Sequence, residues 1–130
     1  MRDYETMRHV LAAAAKTEAE LHYVDFRAMA GRDDDVLECE LNRLKREDLL
    51  DGEVSLTHEF GERSCCRVAG LTDEGLAFYK LIENDKVWDI ILETLKAANI
   101  DISYPLLKEV CEEIVKRYVT SCIPDIKTCK

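Results

Sequence analysis

Apolar positions recur along this chain with two different periods. Tyr4, Met7, Leu11 and Ala14 fall three or four residues apart, with Val10 beside them, and predict a helix over about residues 3–17. Leu21-His22-Tyr23-Val24 reads as a short extended link. Asp25 is placed to cap a short helix holding Phe26, Met29 and Ala30, and Gly31 suits its C-terminal end. Asp33-Asp34-Asp35 opens the next helix, with Leu37, Leu41 and Leu44 as its buried stripe. Acids at its start and Arg43, Lys45 and Arg46 near its end both suit the helix macrodipole. Leu49-Leu50 and Asp51-Gly52 end that helix and start a turn.

The period changes over residues 53–71. Val54, Leu56 and His58 alternate with polar residues, which marks a strand and places His58 half-buried on its apolar phase. Phe60-Gly61-Glu62-Arg63 reads as a turn, and Cys66 and Val68 resume the alternation, so the segment predicts a β-hairpin. Thr72 caps a further helix carrying Asp73 and Glu74 in its first turn and Phe78, Tyr79, Leu81 and Ile82 on its apolar face. Asn84-Asp85 interrupts the pattern. Val87, Trp88, Ile91 and Leu95 then continue it, as another helix or a bent extension, and Asn99 fits its C-terminal end. Ser103 can cap a last helix, with Pro105 in its first turn and Leu107, Cys111, Ile114 and Tyr118 as its stripe.

The expected fold is mainly α with a small β-hairpin. Helix–helix–helix–hairpin is the order of a winged helix-turn-helix core, here followed by C-terminal helices. Residues 1–119 read as a single winged-helix-like domain with a C-terminal helical extension, and residues 120–130, with Pro124, as a flexible tail. The apolar faces of the last helices, with Trp88, Ile91, Leu95, Leu107, Ile114 and Tyr118, fit a core or a homodimer interface.

Composition narrows the class. A chain of 130 residues, 47% hydrophobic and 35% charged, suits one globular domain. No apolar run reaches membrane-spanning length, and no apolar segment follows Met1-Arg2-Asp3-Tyr4-Glu5, so the expectation is a soluble, cytoplasmic protein. Six cysteines, an even number, could mean disulfides, but the lack of a signal-like segment points to a reducing cytosol; with no Cys-x-x-Cys pair and no ligand-like spacing to the three histidines, no metal centre is specified. Cys111 falls on an apolar stripe as a small buried hydrophobe, and Cys65 and Cys66 point to opposite faces of a strand. Phosphate-binding loops, nucleophile elbows and zinc-protease motifs are missing, so neither an enzyme nor a cofactor is expected.

Charge is the most informative quantity. The formal net charge is −9. Residues 32–50 carry −3, residues 51–71 carry −2 and residues 72–99 carry −3, so the expected helix-turn-helix and wing are themselves acidic. Phosphate affinity comes from Lys and Arg, and acids at the start of a recognition helix repel a DNA backbone.

Arg2-Asp3 with Met7-Arg8 and Leu11, then Leu71-Thr72-Asp73-Glu74-Gly75 followed by Phe78 and Asp85-Lys86-Val87-Trp88, resembles a small bacterial and phage family of unknown function. The resemblance covers about residues 1–118, and the Leu-Thr-x-x-Gly to Val-Trp block is its most specific part. It implies a winged-helix-like fold and a prophage or mobile-element origin, and it supplies no activity. Leu76 stands where that family has histidine, so a role for that histidine does not carry over.

Two functions follow. In the favoured one, Asp33, Asp34, Asp35, Glu38 and Glu40 form an acidic face that binds a basic surface on a host protein. A nucleic-acid-mimicking inhibitor of a host defence complex, such as an anti-CRISPR protein, is one concrete form. In the alternative, the domain is a DNA-binding regulator with Arg43, Lys45, Arg46, Arg63 and Arg67 on phosphates.

Overall fold

The computed structural model describes residues 2–30, 33–61 and 63–122. Gly31, Glu62 of the expected turn, and residues 123–130 of the expected tail, Cys129 among them, lie outside the described residues. The elements run α1 (Tyr4–Lys16), β1 (Leu21–His22), α2 (Tyr23–Ala30), α3 (Asp34–Arg46), β2 (Leu50–Ser55), β3 (Cys65–Leu71), α4 (Asp73–Ile82), α5 (Asp85–Ala98) and α6 (Tyr104–Cys122). The chain is thus mainly helical, with a small three-stranded antiparallel sheet ordered β1-β3-β2. Among the described residues no helix is long and apolar enough to cross a membrane.

Contacts divide the chain into two compact units, with the boundary inside α4 between Tyr79 and Lys80. In the first unit α1 packs on α2, α3 and β3, and α3 packs on β2. Met7, Leu11, Phe26, Leu37, Leu41, Leu44, Leu49, Leu50, Val68 and Phe78 fill its core. In the second unit α5 packs on α6. Val87, Trp88, Ile91, Leu95, Leu107 and Cys111 are buried there, whereas Ile114 and Tyr118 are only half-buried.

Local chemistry sets the helix starts. The Asp3 carboxylate accepts from the Thr6 N–H at 3.0 Å and caps α1. Asp25 does not begin α2 as expected. The helix starts two residues earlier, and Asp25 lies in its first turn, where it accepts from the His22 N–H at 2.8 Å. This is the reach-back half of a capping box. Thr72 caps α4 as expected, its Oγ1 accepting from Gly75 N–H at 3.0 Å. Asn84 caps α5, and Asn99 closes it in the left-handed conformation.

Three expectations change. The extended link is partly a strand: Leu21 and His22 pair with Val68 and Arg67 of β3, while Tyr23 and Val24 already belong to α2. Leu49–Gly52 is not a turn. The chain reverses earlier, at Asp48, whose φ of 60° is left-handed. Leu49 N–H donates to the Leu44 carbonyl and Asp48 N–H to the Lys45 carbonyl, which is a Schellman closure with aspartate in the usual glycine position. Leu50 then pairs with Leu71, and a bulge at Asp51/Gly52 re-aims the strand. The third change is at the end of α6. Thr120, Ser121 and Cys122, expected in the tail, are its last turn.

Two glycines are required by close approach. A Cβ on Gly52 would run into the Arg67 carbonyl oxygen, and one on Gly75 into that of Leu49. Gly75 therefore lets the first turn of α4 rest on the segment that leaves α3.

Candidate functional site

α3 carries most of the residues singled out in the sequence. At its N-terminus Asp33 is the cap, its carboxylate accepting from Asp35 N–H at 3.3 Å. Asp34 accepts from the Tyr23 hydroxyl at 3.0 Å and pairs with Arg27 at 3.2 Å. Burial and that hydrogen bond push the Tyr23 phenol up to about 12. The carboxylate of Asp35 makes no hydrogen bond or ion pair among the described residues. Asp33, Asp34 and Asp35 are all exposed, and Glu38 is half-buried.

Glu40 does not belong to this face. Its side chain is 4% exposed and points into the molecule against Arg2, itself 1% exposed. Arg2 Nε donates to Glu40 at 2.8 Å, and its two terminal nitrogens donate to Glu47 at 2.9 and 2.7 Å. One guanidinium thus serves two carboxylates. Loss of water around the buried carboxyl holds Glu40 above its ordinary value and outweighs the opposing pull of the Arg2 charge and hydrogen bond. Glu40 sits on the same side of α3 as Leu37, Leu41 and Leu44, which is why an acid at this spacing goes inward.

His58 corrects another expectation. It lies beyond the end of β2, is exposed rather than half-buried, and its Nε2 is 2.8 Å from Glu38. The Glu38 hydrogen bond raises its pKa above the ordinary histidine value. Potential ligand atoms of Asp35, Glu38 and His58 all lie within 4.8 Å of one another. Nothing in the sequence marks this grouping, because twenty residues separate Glu38 from His58 and no local spacing joins them.

The basic candidates scatter. Arg43 pairs with Glu47 at 3.4 Å. Arg67 pairs with Glu53, its register partner on β2, at 3.3 Å. Arg63 is exposed on the loop between β2 and β3. Lys45 and Arg46 do come together: with Asn42, Val54, Ser55 and Leu56 they line a groove of about 320 Å³ between the end of α3 and β2. Neither makes an ion pair among the described residues.

The described cysteines Cys39, Cys65, Cys66, Cys111 and Cys122 are free thiols. Burial pushes Cys66 up to about 11 and Cys111 up to about 12, which suits packing residues rather than nucleophiles. Compared with family models, curated proteins and solved structures, the chain matches none.

Proposed function

We propose that the first unit is a non-enzymatic winged-helix-like module that binds a basic surface of a host protein through the N-terminal end of α3. The order α1-β1-α2-α3-β2-β3 with sheet order β1-β3-β2 supports the winged-helix reading, with α3 in the recognition position and the 56–64 loop as the wing. One observation carries the partner class: the end of α3 that reads bases in such folds exposes Asp33, Asp34 and Asp35, with Glu38 behind them. These charges repel phosphate and steer a basic protein surface. A phage or mobile-element origin, as the resemblance implies, makes a host complex that handles nucleic acid the concrete partner.

The test is affinity purification from the host beside a variant with Asp33→Asn, Asp34→Asn and Asp35→Asn. Asparagine preserves the cap and removes the charge. The reading expects a host protein that the triple variant releases, and no DNA retardation at ~100 mM salt. Capture that is indifferent to the triple change overturns it.

DNA binding is the second reading, favoured by Lys45 and Arg46 side by side at the groove, neither in an ion pair among the described residues. It expects salt-sensitive retardation that Lys45→Ala and Arg46→Ala weaken.

A further inference from the structure

We propose that Asp35, Glu38 and His58 form a binding site for one divalent transition-metal ion. Asp35 and Glu38 lie one turn apart on α3, at i and i+3, and so share a face. His58 reaches them from a different element, the loop after β2. An ion held about 2.1 Å from each ligand sets neighbouring ligand atoms roughly 3 Å apart. Glu38 and His58 Nε2 stand 2.8 Å apart in a hydrogen bond whose proton the ion would displace to solvent, and no pair in the group exceeds 4.8 Å. A rotamer change at exposed Asp35 closes the rest. Two carboxylate oxygens and one imidazole nitrogen suit Mn²⁺, Fe²⁺, Co²⁺ or Zn²⁺ better than a purely oxygen-seeking cation. The site faces solvent, so water completes the coordination.

The arrangement differs from an ordinary acidic patch in having its third ligand held in place. Asn42, one turn after Glu38 on α3, clamps the backbone leading to His58: its Nδ2 donates to the Leu56 carbonyl at 2.8 Å, and its Oδ1 accepts from Leu56 N–H at 2.9 Å. Ser64 Oγ accepts from Thr57 N–H at 3.1 Å and donates to the Thr57 carbonyl at 2.7 Å. Glu59 N–H donates to Thr57 Oγ1 at 3.0 Å. These bonds hold Leu56 and Thr57, the two residues before His58, and fold Glu59 back onto Thr57. One helix face supplies two ligands and the clamp for the third. A bound ion would link the loop to α3 and cancel charge at the acidic end, so metal and a basic protein partner would compete.

Mn²⁺ is the probe. It prefers oxygen and nitrogen donors over the accessible thiols of Cys39, Cys65 and Cys122, and its unpaired electrons broaden nearby NMR signals. The full-length ¹⁵N-labelled chain is titrated with MnCl₂ under reducing conditions. The expected result is saturable binding of one ion per chain, with broadening centred on Asp35, Glu38 and His58. Asp35→Asn and His58→Ala should each weaken it by ~10-fold or more. Both positions are exposed, and circular dichroism checks that each variant is folded. Absence of broadening at millimolar Mn²⁺ overturns the site. So does broadening along residues 33–38 that His58→Ala leaves unchanged, since that is a diffuse acidic atmosphere. Neither result touches the acidic-face reading, whose readout is protein capture.

Discussion

Glu38 and Glu40 are two residues apart on α3, yet they meet opposite physics. Glu38 stands at the surface beside His58, where water screens its charge. Glu40 lies under the surface, held by Arg2, where its charge has no such screen. Composition counts them alike. Only the helical period separates an acid that a partner can use from one that ties the N-terminal segment to α3. The wider lesson concerns the acidity of this chain: part of it is interior structure and is lost to any binding face.

Breaking the inner contact has the largest expected effect. Arg2→Ala strands Glu40 without its cation and should cost about 3–5 kcal/mol in urea denaturation at neutral pH. Glu40→Ala should cost less, about 2 kcal/mol, because Glu47 still pairs with Arg2. Equal costs would mean that Glu47 carries none of the network.

Gly75→Ala probes the rest of α4 on Leu49. The new methyl has no room beside the Leu49 carbonyl, and a loss of about 1–3 kcal/mol is expected. A neutral result would show that α4 can shift away without cost. Asp48→Gly should act in the opposite direction. It relieves a left-handed aspartate at the close of α3 and should stabilise by about 1 kcal/mol, read as a rise in melting temperature.

The buried Glu40–Arg2 contact also makes stability depend on pH. The folded-state pKa of Glu40 is raised, so the folded chain takes up a proton there before the unfolded chain does. Burial of the ionised form therefore opposes folding at neutral pH, and the penalty fades as pH falls through the raised value. Relative to Glu40→Gln, which does not titrate, the native protein should gain stability as pH falls from neutral toward the ordinary glutamate range. A difference that is flat with pH would place the Glu40 pKa at its ordinary value. At the outer face the effect on stability should be smallest. Asp35→Asn with Glu38→Gln should change stability by under ~0.5 kcal/mol while altering partner capture. A larger loss of stability would make the outer acids structural as well.

Much of the fold was legible because it rests on local signals. The helical stripes of α1 and α3, the Thr72 cap, the break at Asn84-Asp85 and the alternation of Cys66 and Val68 all follow from local spacing and capping chemistry; that Asn84 is itself the cap of α5 does not. The sequence pattern departs from the structure where a distant residue decides, or where aspartate takes a position usually held by glycine. Leu21-His22 is too short to read as a strand alone and becomes one only because β3 lies beside it. Leu49-Leu50 looked like the end of a helix because no glycine marks the true reversal; Asp48 takes that conformation within the Schellman closure.

The candidate site divides along the same line. By itself the sequence determined that the start of α3 is acidic, because three adjacent aspartates both cap a helix and carry charge wherever the helix lies. It could also place Lys45 and Arg46 together at the other end. Helical spacing puts Glu40 on the inward side of α3, but tertiary structure alone decided that Arg2 meets it there, that Arg67 is neutralised across the sheet by Glu53, and that His58 comes to rest beside Asp35 and Glu38. Each of those pairings joins residues more than ten positions apart, and a pattern of period two or 3.6 carries no information about which distant surfaces will meet.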